Sequence, residues 1–253
     1  MLVVDNGIYG KGFADFVTMY GGQVTFYEST YTQAVDVKEF RAFLEEHHDF
    51  KYATLVHCDT PSGVLNPVEE LSRALHEYGI MTIVDSVSAM MGEPLRVDEG
   101  QIDIVCGGSQ KAVSAPPGLT FVTVSDAAMK AMEERKTPIA SFYANILVFK
   151  DYYKNLWFPY TMPISDIYGL RTALENVKAD PDRYERHKQM GELTRRTVKE
   201  MGLSLYLENG YSNTVTVIRV PDGIKADDIL ELMKKDHNLS LIHISEPTRR
   251  RGI

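Results

Sequence analysis

Two residues of this chain have the types and surroundings for covalent chemistry. Lys111 lies in the small-residue run Gly107-Gly108-Ser109-Gln110-Lys111-Ala112, and Asp85 closes the apolar run Gly79-Ile80-Met81-Thr82-Ile83-Val84. A lysine amine condenses with an aldehyde to a Schiff base. A buried carboxylate keeps a pyridine nitrogen protonated, so that the ring draws electrons from a substrate carbanion. Taken singly, Asp85 reads equally as a helix cap or surface acid, and Lys111 as a loop lysine. Together they follow consecutive apolar runs, at the carboxyl ends of strands where open parallel sheets bind ligands. Gly107-Gly108-Ser109 also lets the backbone approach a ligand closely. The pair is therefore an arrangement that holds pyridoxal 5'-phosphate. A free lysine amine, with a pKa of about 10, is protonated at neutral pH; desolvation in such a site relieves that.

The elements that must position this pair alternate short apolar runs with amphipathic segments, which predicts an α/β fold. Strands are predicted over residues 2–4, 23–27, 52–57, 80–84, 102–106 and 119–124. The 80–84 run is apolar nearly throughout, so it is expected at the centre of a parallel sheet, covered on both faces. Between the third and fourth strands Asn66 is a candidate N-cap, Pro67 suits the first helical position, and Glu69 completes a capping box. Val68, Leu71, Leu75 and Tyr78 then form one apolar stripe, and Gly79 stops the helix. A second amphipathic helix is predicted over 37–46. Beyond residue 124 helices are expected over 127–135, 164–177, 183–202 and 226–235, with short strands at 204–207 and 214–220. The expected division is a large ligand-binding unit, 1–178, followed by part of a smaller α+β domain, 179–238.

Bulk properties narrow the partners. A net charge of −8 over 253 residues disfavours nucleic acid and anionic membrane. No apolar run is long enough to span a bilayer, and the start, Met1-Leu2-Val3-Val4-Asp5, has no signal-peptide pattern. The two cysteines, Cys58 and Cys106, read as reduced thiols of a cytoplasmic protein rather than a disulfide or a metal site. No histidine spacing suggests a metal, and His47-His48 reads as solvated.

The segments Val84-Asp85-Ser86-Val87-Ser88, Gly108-Ser109-Gln110-Lys111-Ala112 and Ala115-Pro116-Pro117-Gly118-Leu119 resemble the class V aminotransferases, in particular the alanine–glyoxylate / serine–pyruvate branch. The likeness runs from about residue 2 to 236. It implies a fold-type I pyridoxal-phosphate transferase with a mainly parallel central sheet and flanking helices. It also implies transamination between an alanine- or serine-type amino acid and a 2-oxo acid such as glyoxylate or pyruvate. In that likeness Lys111 forms the Schiff base and shuttles the proton, Asp85 pairs with the pyridine nitrogen, and Val87 packs on one ring face. Tyr9, in Asn6-Gly7-Ile8-Tyr9-Gly10, stacks on the other face; without the likeness it reads as a core tyrosine at a helix start. Thr60, in Asp59-Thr60-Pro61-Ser62-Gly63, contacts the ring 3-oxygen; otherwise the segment is a turn. Gln110 lies on the phosphate side. Thr161, in Pro159-Tyr160-Thr161-Met162-Pro163, reaches the phosphate of a neighbouring subunit, which implies a homodimer with shared active sites.

A narrower likeness lies in Tyr9-Gly10-Lys11-Gly12-Phe13 and Asp59-Thr60-Pro61-Ser62-Gly63, which resemble the pyridoxamine–pyruvate transaminases. Ser109-Gln110 before the lysine is instead the alanine–glyoxylate form. Two family elements are expected outside the chain: a phosphate-cradling loop ahead of Met1 and a carboxylate-gripping arginine after Asp236. The stretch from Leu239 to Arg249 resembles a translated sequencing adapter, so 239–253 are read as non-native. On this reading the parent protein is an enzyme and the chain by itself is inactive. Two other readings share the Asp and Lys: a lyase or desulfurase, which needs a mobile nucleophilic cysteine, and a non-catalytic pyridoxal-phosphate-binding fragment.

Overall fold

A computed structural model of the chain describes residues 1–240; the adapter-like residues from Leu241 onward lie outside the described residues. In chain order the elements are β1 Leu2–Asp5, α1 Ile8–Met19, β2 Thr25–Glu28, α2 Val37–Glu46, β3 Tyr52–Val56, β4 Cys58–Asp59, β5 Val64–Leu65, α3 Val68–His76, β6 Met81–Asp85, β7 Ile104–Gly108, β8 Thr120–Val124, α4 Asp126–Glu133, α5 Ile164–Ala179, α6 Arg183–Glu200 and α7 Ala226–His237. The main sheet has the order β2-β1-β3-β6-β7-β8. Its pairings are parallel except at the edge, where β8 runs antiparallel to β7. β4 and β5 form a small separate hairpin.

Register places the site. Val56 pairs with Asp85, and Asp85 with Cys106, so the carboxyl ends of β3 and β6 stand level and β7 runs on past them to Gly108. Below them the core packs one face of the sheet against α2 and α3. Leu2, Val4, Leu55 and Val84 meet Phe40, Leu44, Leu71 and Leu75, all buried. Emptying such a site, as in Leu75→Ala, costs about 2–5 kcal/mol. On the other face α1 lies against β1 and β3. Gly10 makes this approach possible, because a Cβ there would stand 2.6 Å from the Val4 carbonyl oxygen.

Several expectations are corrected. Asn66 does not cap α3: its Oδ1 accepts the Val35 N–H at 3.0 Å and its amide donates to Val56 O at 2.9 Å. Glu69 does not close a capping box either, but accepts the Arg96 N–H and pairs with its guanidinium. Long-range partners have taken both side chains, and the N-cap is Pro67, with no side-chain cap. Val68, Leu71 and Leu75 form the buried stripe, whereas Tyr78 is exposed and stacks on His48. Gly79, at φ +70°, ends the segment in the left-handed region. β6 is central, but only Thr82 and Val84 are fully buried; Met81, Ile83 and Asp85 on the other face are half-buried. The strands expected at 204–207 and 214–220 reduce to an isolated bridge between Leu205 and Ile218. Two short segments without a third partner make too few ladder bonds to extend.

Candidate active site

The chain from β6 onward shows why an acid can stand at this level. Asp85 ends the strand, and the backbone turns at once: the Ser86 N–H donates to Cys106 O at 2.8 Å, and the Val87 N–H to Asp85 Oδ1 at 2.8 Å. Among the described residues no hydrogen bond reaches the other Asp85 oxygen, and the carboxylate makes no ion pair. Burial pushes its pKa up, the Val87 N–H pulls it down, Asp59 pushes it up and Lys111 pulls it down. A half-buried carboxylate in this condition fits a cationic ring nitrogen.

One strand over, β7 ends in Gly107-Gly108. Lys111 then sits on a loop whose base is closed by Ser109, a fully buried hydroxyl. Ser109 Oγ donates to Pro116 O at 2.6 Å, its N–H to Leu119 O at 3.1 Å, and its carbonyl accepts from Ala115 N. The Lys111 side chain is exposed and, among the described residues, makes no ion pair, so the amine is available to an aldehyde. Gln110, also exposed, folds over Gly108.

The other expected walls lie at the start of α1, in the turn after β4 and in the loop after β6. Thr60 donates to Ser88 Oγ at 2.8 Å, tying its turn to the Val87 loop. Tyr9, in the first turn of α1, is 52% exposed, and its N–H donates to Asp59 Oδ1 at 3.0 Å. Val87 is half-buried beside Asp85. Thr161 is exposed ahead of α5, and no hydrogen bond ties it to this cluster among the described residues.

Residues missed from the sequence surround these. Asp59 is buried, and burial raises its carboxyl while the Tyr9 N–H and Ser62 lower it. Asp5, at the end of β1, accepts the Tyr31 hydroxyl at 2.5 Å and pairs with Lys11 at 3.3 Å. Burial, then the Asp5 bond, raises the Tyr31 pKa. His57 lies buried behind Asp85, with Nδ1 3.0 Å from Ser86 Oγ; its N–H donates to Asp85 O at 2.8 Å. One signal was available for Asp5: Leu2-Val3-Val4-Asp5 repeats the apolar-run-then-acid pattern of Thr82-Ile83-Val84-Asp85. Cys58 and Cys106 are free, both on strands, and burial pushes both thiols up. Neither is a loop thiolate of the kind a desulfurase needs. Among the described residues no His/Cys/Asp/Glu group could hold a metal ion, and no helix is long and apolar enough to cross a membrane.

A parallel sheet with an acid ending one central strand and a lysine loop after the next defines a pyridoxal-phosphate transferase of fold type I, and the chain belongs to the class-V aminotransferases. That family matches residues 13–242. The chain is 31% identical over 243 residues to an uncharacterized aminotransferase of Methanocaldococcus jannaschii, covering 94% of this chain and 63% of that protein. It is 32% identical over 233 residues to the pyridoxamine–pyruvate transaminase of Mesorhizobium japonicum, covering 88% and 58%. The solved structure of alanine–glyoxylate aminotransferase from Nostoc sp. superposes with a TM-score of 0.89 at 26% identity, covering 94% of this chain and 64% of that one. The chain thus spans 58–63% of the length of these curated relatives.

Proposed function

We propose that this chain holds pyridoxal phosphate at the carboxyl ends of β6 and β7, and that the whole protein transfers an amino group between an alanine- or serine-type amino acid and a 2-oxo acid such as glyoxylate or pyruvate. The observation that carries this is the pair itself: Asp85, short of a cation, level with the strand whose following loop presents Lys111. Bound pyridoxal phosphate supplies an aldehyde that captures the amino donor and a ring that accepts electrons from its α-carbon. With that group bound, Lys111 Nζ would anchor the aldehyde and would be the base that takes and returns the α-proton. Asp85 would hold the proton on the ring nitrogen. Tyr9 and Val87 would hold the ring, Thr60 would hold its 3-oxygen, and Gln110 would hold the phosphate side.

Thr161 serves the phosphate of a second copy. The segment around it supports a homodimer: Tyr143, Tyr153, Leu156, Trp157 and Tyr168 are all exposed, an apolar surface of the kind that marks an interface. Residues 179–238 belong to a smaller domain that begins with α6. Two free cysteines fit a cytoplasmic setting.

A second reading takes free pyridoxamine as the amino donor. It is favoured by the Asp59-Thr60-Pro61-Ser62-Gly63 turn and by the likeness to the Mesorhizobium enzyme, named pyridoxamine–pyruvate transaminase. One experiment tests both readings. Purified protein is mixed with pyridoxal phosphate, then with alanine, serine or pyridoxamine, and glyoxylate or pyruvate is supplied as acceptor. A yellow band bleached by amino acids supports the first reading and its absence sinks it; turnover of pyridoxamine alone supports the second, and neither band nor turnover sinks both.

A further inference from the structure

Helix α1 brings Tyr9 to the site without a cap of its own. Gly7 occupies the N-cap position, and the first turn holds no acidic side chain. The acceptor comes instead from fifty residues further along the chain, where Asp59 Oδ1 takes the Tyr9 N–H at 3.0 Å. The other Asp59 oxygen takes the Ser62 hydroxyl at 2.9 Å and the Ser62 N–H at 3.2 Å. Asp59 is 1% exposed, so the carboxylate is enclosed, bonded on both oxygens and seated at the positive end of the helix dipole. Gly7 leaves the room for it, because a Cβ there would overlap the carboxylate.

The arrangement joins parts that would otherwise be independent. Asp59 fixes the start of α1 to the turn that carries Thr60. Thr60 donates to Ser88 at 2.8 Å, and one residue before Ser88 the Val87 N–H donates to Asp85. Tyr9, Thr60, Val87 and Asp85 are thus joined by three hydrogen bonds and the two peptide links Asp59–Thr60 and Val87–Ser88. Tyr9 needs this more than the others. Half of it is exposed, so packing restrains its ring little and its place is set by the backbone below.

We propose that Asp59 is the positioning residue for Tyr9: its carboxylate clamps the first turn of α1 and pre-sets the height at which the Tyr9 ring covers the cofactor ring. This rests on the reading of Tyr9 as a wall of the pyridoxal-phosphate site. The clamp itself exists in the chain whether or not that reading holds, which allows the two to be tested apart.

Amide hydrogen exchange at Tyr9, without cofactor, tests the clamp. The amide is protected in the wild-type chain and in Asp59→Asn, whose side-chain oxygen can still accept, and it loses most of its protection in Asp59→Ala. Equal protection in all three overturns the proposal. Pyridoxal phosphate titration then tests the consequence, read by visible circular dichroism, which senses how rigidly the ring is held. Asp59→Ala weakens capture roughly tenfold and diminishes the band, the scale expected for losing one charge-assisted hydrogen bond; Asp59→Asn restores most of both. In a Tyr9→Ala background, Asp59→Ala has no further effect on capture. A purely structural role for Asp59 would instead give the same tenfold loss with and without the Tyr9 ring, and that additivity overturns the proposal. A wild-type chain that protects the Tyr9 amide through Asp59 yet binds no pyridoxal phosphate overturns the cofactor role and the proposed function together.

Discussion

Asp85 Oδ1 accepts the N–H of Val87, two residues further on, at 2.8 Å. This bond sets the carboxylate orientation by a local turn, while the other oxygen remains without a hydrogen bond among the described residues. Burial and the neighbouring Asp59 both raise its pKa, so the ionised form is held less comfortably than in water. A ring cation would relieve this, and a neutral side chain of the same shape would not attract one.

Asp85→Asn separates charge from shape, because the amide oxygen can still accept from Val87. In the whole protein, the expected result is that the step from amino acid to 2-oxo acid slows by about a hundredfold or more, the scale for removing one charge-stabilising group. Cofactor capture should weaken by much less. Stopped-flow loss of the visible band on adding alanine, beside an equilibrium titration with pyridoxal phosphate, measures both. Transamination at the wild-type rate would end the assignment of Asp85.

Lys111 gives a covalent test. Borohydride reduction of the protein mixed with pyridoxal phosphate should fix the label on the peptide that contains Lys111, and mass spectrometry locates it. Lys111→Ala should lose the label there and the band with it. Because the side chain is exposed and makes no ion pair among the described residues, its removal should leave the thermal midpoint nearly unchanged. Labelling spread over the other lysines, with none on Lys111, would contradict the proposed role.

The order of elements around Asp85 and Lys111 was legible because each strand of the sheet is a short apolar run and α2 and α3 have clear stripes. Boundaries shifted by one or two residues, as in β6, which runs to Asp85 itself. What escaped was non-local. Asn66 and Glu69 have the spacing of a capping box, but Val35, Val56 and Arg96 compete for their side chains from distant parts of the chain. The true N-terminal acceptor for α1, Asp59, is equally invisible, since nothing near Tyr9 in sequence points to it. Periodicity reads the faces of elements; it does not read which buried polar group satisfies which.

Glu93 tests how the C-terminal segment is held to the sheet. Its buried carboxylate accepts the Ser212 hydroxyl at 3.0 Å, the Asn213 N–H, and the Asn213 amide at 3.3 Å. Arg195 of α6 adds bonds to Ser212 O and Asn213 Oδ1. Glu93→Ala should destabilise the chain by about 1–3 kcal/mol, the cost of leaving buried donors unpaired. Limited proteolysis should then cut residues 203–220 before the sheet. Loss of stability with no change in the cleavage order would mean that this segment is held elsewhere.

His57 gives a pH signature. Its ring is 4% exposed with Nδ1 3.0 Å from Ser86 Oγ, and burial lowers its pKa to about 4, slightly offset by Glu69. In the unfolded chain the value is about 6.5. Between the two, the unfolded state binds the proton and the folded state does not. The stabilising contribution is therefore complete above about pH 6.5 and is lost as the pH falls toward 4, with about 2 kcal/mol gone by pH 5. Asp59 and Asp85 act with the opposite sign: their carboxyls are raised by burial, so acidification into the carboxylate range favours the folded form. The comparison must therefore be with a variant that changes only the imidazole. His57→Gln can still hydrogen-bond Ser86 and does not titrate. Urea unfolding at pH 7.5 and pH 5 should show the wild type losing about 2 kcal/mol more than the variant; parallel losses would show that the buried imidazole takes up its proton without opening the fold.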